Sequence, residues 1–233
     1  MSANTDRTEI RFDGKVAIVT LGAQALVDTA IDTWGRVDIV INDAGIEIKK
    51  PFPDFGDVEF ARMLDVHNYG RVLIASSQSI FGIPQNVAYT IAKGALFGLG
   101  RPLALEGQEH GIHVNMFGPV AGTVVSRQML DDEASYQWAA KQYPASTTSA
   151  VVAWLVHEEC TANGEFIASY GWSMGRVALT HSMGVTCKEE GKFTPEIVRG
   201  NFEQAISMDG ALILASMQEV SDKLLSPDVR VDI

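Results

Sequence analysis

The sequence predicts an α/β fold: a doubly wound parallel sheet covered by helices, followed by a helical C-terminal extension. Three observations predict it. Short β-branched apolar runs alternate with helical stretches between Lys15 and Met116. Those runs are apolar on both faces, as strands buried between two helical layers must be. The chain has 233 residues, 46% hydrophobic and 20% charged, which is enough apolar bulk for one sizeable core.

The elements follow in order. Lys15–Thr20 reads as a buried strand entered through the turn pair Asp13-Gly14. Gln24–Trp34 repeats apolar residues at helical spacing and stops at Gly35, a residue suited to a helix C-cap. Val37–Asn42 is a second buried strand, Asp57–Leu64 a helix and Arg71–Ala75 a third strand. Ile91, Ala92, Ala95, Leu96 and Leu99 form a helical stripe, and Gly111–Met116 is a fourth strand. After Pro119 the pattern loosens. Asp131–Glu133 and Ala145–Ser149 read as exposed connections, and Val151–Leu155 as a buried helical segment. A tail containing Met and Gly runs from Gly175, with helical stretches at Pro195–Ala205 and Leu212–Leu225. The chain therefore divides into a main domain, 1–174, and an extension, 175–233.

Composition excludes several function classes. A net charge of −11 and a pI near 4.8 argue against nucleic acid or an anionic membrane as the main partner. The polar start lacks a secretory apolar stretch, no run approaches the ~20 apolar residues of a membrane span, and the last residues match no targeting address. Cys160 and Cys187 are too few and too distant for a disulfide framework, so the expectation is two free thiols in a cytoplasmic protein. His110, His113, His157 and His181 have no ligand-like spacing, and no metal is expected.

Tyr89 and Lys93 carry the chemistry. They stand four apart in the predicted helix, so phenol and ammonium share one face. A cation beside a phenol favours phenolate, which suits a group that must both give and take a proton near neutrality.

Around this pair, Asn42-Asp43-Ala44-Gly45 after one strand, Ser76-Ser77 after another, then Asn115 and Pro119–Thr123 resemble the short-chain dehydrogenase/reductase family across roughly residues 10 to 170. The family's fold is Rossmann-like. Trp154–Cys160, Gly171-Trp172 and Phe193–Val198 resemble its (3R)-hydroxyacyl-CoA dehydrogenase branch. The resemblance implies a nicotinamide-dependent oxidoreductase interconverting a secondary alcohol and a ketone. Its expected substrate is a (3R)-hydroxyacyl-CoA or hydroxysteroid, and its expected assembly a homodimer or higher homo-oligomer.

The resemblance also assigns roles. Tyr89 exchanges a proton with the substrate oxygen. Lys93 assists it and holds the cofactor's ribose hydroxyls. A serine donates to the same substrate oxygen. Ser77 is the first choice, as second member of the pair, and Ser76 the alternative, since it stands thirteen residues before Tyr89, the family's usual spacing. Asn42 braces the sheet, Ala44 and Gly45 let the cofactor approach the backbone, and Pro119, Ala121, Gly122 and Thr123 cradle the nicotinamide carboxamide. His67 falls where many relatives carry an active-site asparagine. The expected cofactor is NAD, with NADP the alternative.

Two stretches of the family pattern are missing. After Thr20 the chain passes through Leu21-Gly22-Ala23 directly into Gln24, without the glycine-rich turn, first helix and next two strands. A long helix is missing after His67. Either the sequence as given omits segments of the protein, or the chain is a truncated, inactive relative acting by binding or dimerisation. An intact mass above 25.2 kDa would establish omission. A third reading, a 3-oxoacyl-thioester reductase, is disfavoured by the sixty or so residues that follow Gly171-Trp172.

Overall fold

The computed structural model describes residues 12–20, 24–42, 70–123, 126, 127, 130, 132–187, 189, 191–225, 231 and 232. Asp57–Leu64 lies outside them. They form two compact units, Met1–Val177 and Ala178–Ile233.

The first unit holds six strands in sheet order β1 to β6: Ala17–Thr20, Ile39–Asn42, Arg71–Ala75, His113–Val120, Phe166–Tyr170 and Ser173–Val177. The first five pair in parallel, and β6 folds back antiparallel on β5. Among the described residues β1 pairs only with β2, so it stands at the edge of this sheet. Its start is pinned by Asp38, whose Oδ2 accepts from Val16 N at 2.9 Å while its carboxylate pairs with Arg36.

Both faces of the sheet are covered. Helix α1 (Gln24–Trp34) ends where Gly35, at φ 72°, donates to Ile31 O at 2.8 Å. Its Ala30 and Ile31 pack on Val16, Val37 and Val40. Helix α2 (Val87–Gln108) lies on the same face, because Val40 is the register partner of Val72, and Val72, Ile74, Val114 and Met116 bury Phe97 and Leu103 of α2. At Gly100 α2 comes so close to the sheet that a Cβ would stand 1.7 Å from Met116 Sδ. The opposite face, with Ile39, Leu73, Ala75 and Phe117, is covered by Leu155 of helix α4 (Ala145–Leu155) and by Val156 and Cys160 beyond it.

Several predicted boundaries are corrected. Strand β4 extends past Met116 to Val120, since Gly118 continues the strand beneath the Phe166 ring, where a Cβ would come within 2.8 Å. Ala145–Ser149 is the start of α4, not a connection: Thr147 Oγ1 donates to Pro144 O at 2.7 Å and Ser149 Oγ to Ala145 O at 3.2 Å, so the hydroxyls are satisfied inside the helix. Asp132 N-caps helix α3 (Glu133–Gln142) by accepting from Ser135 N at 2.9 Å.

The second unit is mixed rather than purely helical. It contains strands β7 to β10 (Thr180–His181, Val185–Thr186, Leu212–Ile213, Val231–Asp232), helix α5 (Pro195–Ala205) and the short helix α6 (Met217–Val220), which runs into a π turn, Ser221–Leu225. Leu212–Leu225 is thus a strand, a Ser216 cap and a final helical segment rather than one helix. No described helix is long and apolar enough to cross a membrane.

Candidate active site at the carboxyl ends of the strands

Parallel sheets of this kind place their chemistry beyond the carboxyl ends of the strands, and Ser76, Ser77, Tyr89, Lys93 and Pro119–Thr123 stand at or just beyond those ends. Helix α2 returns from β3 and carries Tyr89 in its first turn. One turn on, Lys93 Nζ lies over the Tyr89 ring, 5.8 Å from its centroid. Lys93 is 9% exposed, and Tyr89 is half-buried. An ammonium removed from water to this degree requires fixed acceptors. Ala75 O, at the last position of β3, accepts from Nζ at 2.8 Å.

The two serines behave differently. Ser76, 2% exposed, donates its hydroxyl to Lys93 O at 2.8 Å, and its N–H goes to Phe117 O at 2.9 Å. Ser77 is half-buried and caps the one-turn 3₁₀ helix Gln78–Phe81, its Oγ accepting from Ser79 N at 3.1 Å. That bond does not use the Ser77 hydroxyl proton. Between this turn and Tyr89 the chain turns sharply: Gly82 has φ 99° and Gln85 has φ 65°. Gln85 is the one non-glycine among the described residues in the left-handed region, a conformation that costs a bulky residue about 1–2 kcal/mol. No sequence signal marked it.

Pro119 and Val120 end β4 beside Ser169 and Tyr170 of β5. The cradle that follows is already engaged by the chain itself. Gly122 N donates to Tyr143 O at 2.8 Å, Thr123 N donates to Ser126 Oγ at 2.6 Å, and Ala121 is half-buried beside them. Helix α3 lies directly on Gly122 and Gly171. Asn115 is a brace rather than a site residue: it is 1% exposed, donates to Ala162 O at 2.9 Å and accepts from Glu165 N at 3.0 Å. The backbone of Asn42 ends β2, in register with Thr20 and Ile74. Asp43, Ala44, Gly45 and His67 lie outside the described residues, and no metal-ligating cluster occurs among those described.

The donor set fits one end of a nicotinamide dinucleotide. A buried ammonium, a half-buried phenol and a half-buried serine hydroxyl at one strand edge suit the nicotinamide riboside. The pyrophosphate end has no glycine-rich turn to receive it, since three residues separate β1 from α1.

Residues 68–160 match the family model described as Enoyl-(Acyl carrier protein) reductase. With the fold and the Tyr89–Lys93 pair, this match makes the chain similar to the short-chain dehydrogenase/reductase family, whose redox partner is a nicotinamide cofactor. It is 30% identical to the mouse peroxisomal multifunctional enzyme type 2, over 96% of this chain and 33% of that protein. It is 32% identical to the Neurospora crassa peroxisomal hydratase-dehydrogenase-epimerase, over 79% of this chain and 22% of that protein. The full-length peroxisomal multifunctional enzyme type 2 of Drosophila melanogaster has the same fold, with a TM-score of 0.64 at 23% identity, over 93% of this chain and 49% of that one. The chain thus spans half or less of these larger proteins.

Proposed function

We propose that this chain interconverts a secondary alcohol and a ketone, with a (3R)-hydroxyacyl-CoA or a related hydroxysteroid as substrate and NAD as cofactor. The observation that carries the reading is the buried Lys93 ammonium one helical turn from Tyr89, at the strand edge where two serines also end. When bound, the nicotinamide supplies the acceptor or donor of a hydride at the carbinol carbon. Tyr89 Oη takes the hydroxyl proton as that C–H bond breaks, and returns it in the reverse direction. Lys93 holds the ribose hydroxyls, and a serine O–H steadies the charge that develops on the substrate oxygen. Similarity to a multifunctional enzyme and to a hydratase-dehydrogenase-epimerase supports the acyl-CoA substrate over a simple alcohol. We further propose a homodimer and a cytoplasmic location, the latter supported by two free thiols.

A second reading has its own support. The Gly122 and Thr123 amides are spent on the chain itself, and no glycine-rich turn follows β1, as in a dehydrogenase fold that binds partners without catalysis. An absorbance assay at the reduced-nicotinamide band, with panels of acyl-CoA, steroid and simple alcohol substrates, separates the two. Turnover of hydroxyacyl-CoA supports the enzyme. No turnover, together with no energy transfer from tryptophan to NADH at millimolar cofactor, supports the binding protein. Strong preference for acyl carrier protein thioesters and NADPH would favour a 3-oxoacyl-thioester reductase.

A further inference from the structure

Two consecutive residues hold Lys93 from opposite ends. Ala75 O accepts from the side chain at 2.8 Å, and the Ser76 hydroxyl donates to the backbone carbonyl at 2.8 Å. Because Ala75 and Ser76 are adjacent, the two bonds close a small ring between the end of β3 and the turn of α2 that carries the lysine. Ser76 is 2% exposed and its amide is bonded to β4 at Phe117 O, so the anchoring point is itself fixed to the sheet. Spacing to Tyr89 marks Ser76 for the substrate, yet its one hydroxyl proton is directed into the α2 backbone. Ser77 is half-buried, and its Oγ accepts from Ser79 N at 3.1 Å, a bond that does not use the hydroxyl proton.

We propose that Ser76 is a positioning residue that sets the height and aim of Lys93, which leaves the substrate-facing serine role of the proposed function to Ser77. The division of roles rests on the oxidoreductase reading, but the Ser76–Lys93 clamp does not. With its ammonium bonded to the end of β3 and its carbonyl bonded to Ser76, Lys93 takes its position from the helix turn that bears it. Loosening that turn moves the group that grips the ribose.

The test compares Ser76→Ala, Ser76→Thr and Ser77→Ala in the full chain. Hydrogen exchange of the cofactor-free protein is read over Tyr89–Phe97, where loss of one buried hydrogen bond corresponds to about a fivefold rise in exchange. The rise is expected in Ser76→Ala, not in Ser77→Ala, and is reversed in Ser76→Thr, which keeps the hydroxyl. The NADH dissociation constant should rise about fivefold in Ser76→Ala alone. Turnover should fall about a hundredfold in Ser77→Ala, with cofactor affinity unchanged. A Ser76→Ala protein with unaltered exchange and cofactor affinity but a hundredfold lower kcat overturns the proposal and returns Ser76 to the substrate. Equal exchange increases in both alanine variants overturn it as well. If the wild-type chain turns over nothing, the exchange comparison still decides the clamp, and only the oxidoreductase reading falls.

Discussion

A β-carbon on Gly122 would stand 2.2 Å from Ala140 Cα and 2.6 Å from Ala140 N. The last turn of α3 therefore rests on bare backbone at the exit of β4. Gly171 makes the same concession after β5: it has φ 56°, and a β-carbon there would lie 2.6 Å from Gln142 O. These are backbone contacts, so neither can be relieved by turning a side chain.

Gly122→Ala should lift α3 from the strand end and lower stability by about 1–3 kcal/mol. A thermal melt gives the loss, and Trp138, on the displaced helix, should change its emission. Unchanged stability and emission would mean that α3 is not seated there in solution.

Tyr89→Phe keeps the ring beneath Lys93 Nζ but removes the phenol oxygen proposed to exchange the proton. Turnover should fall by about 10²–10⁴-fold, with cofactor affinity within twofold of wild type. A variant retaining full activity would remove Tyr89 from the mechanism.

Lys93→Met separates stability from function. The ammonium is 9% exposed, and replacing a buried charge with an apolar side chain of similar length is commonly neutral or stabilising. The midpoint of urea unfolding should stay within about 1 kcal/mol of wild type or rise, while NADH binding weakens at least tenfold. Loss of folding in this variant would mark Lys93 as structural.

His113 predicts an acid-labile start of the interior strand β4. Burial first, and then the Arg71 guanidinium on its register partner, hold the imidazole below the ordinary histidine range, against the carbonyls of Cys160 and Ala162. Its Nδ1 and Arg71 Nε are both buried without a hydrogen-bond partner among the described residues. A histidine depressed in the folded state contributes stability above the unfolded value near ~6.5, and that contribution disappears as pH falls through the folded value. Urea midpoints measured from pH 8 to pH 5 should therefore fall more steeply for wild type than for His113→Gln. Parallel slopes would clear His113.

The parts of this molecule that were legible in its sequence are those where local pattern and tertiary role agree. Gln24–Trp34 and Pro195–Ala205 are helices at the predicted residues, because an apolar stripe with Gly35 after it, or a Thr194-Pro195 start before it, defines the element alone. Arg71–Ala75 is likewise the strand predicted. The reading failed where tertiary contacts override local preference. Gly118 and Pro119 look like a strand's end but sit inside β4, since the Phe166 ring claims the space of a side chain. Ala145–Ser149 looks like a loop because of its hydroxyls, but those of Thr147 and Ser149 turn back on their own helix and that of Thr148 reaches Ser169 Oγ at 3.0 Å. In the site, residue types and spacing marked Tyr89, Lys93 and both serines. Which serine faces Lys93 depends on the direction in which β3 leaves the sheet, and a list of residues does not carry that.

The sheet's order has a kinetic consequence. Six strands lie side by side in the order in which the chain makes them, so each new strand pairs with the one before it and none must insert between two that are already joined. Each parallel pairing in this sheet joins strands that follow one another in the chain, so no pairing has to close a loop that spans another strand. Among the described residues, β1 at the end of the row has a single neighbour to lose when the row begins to open.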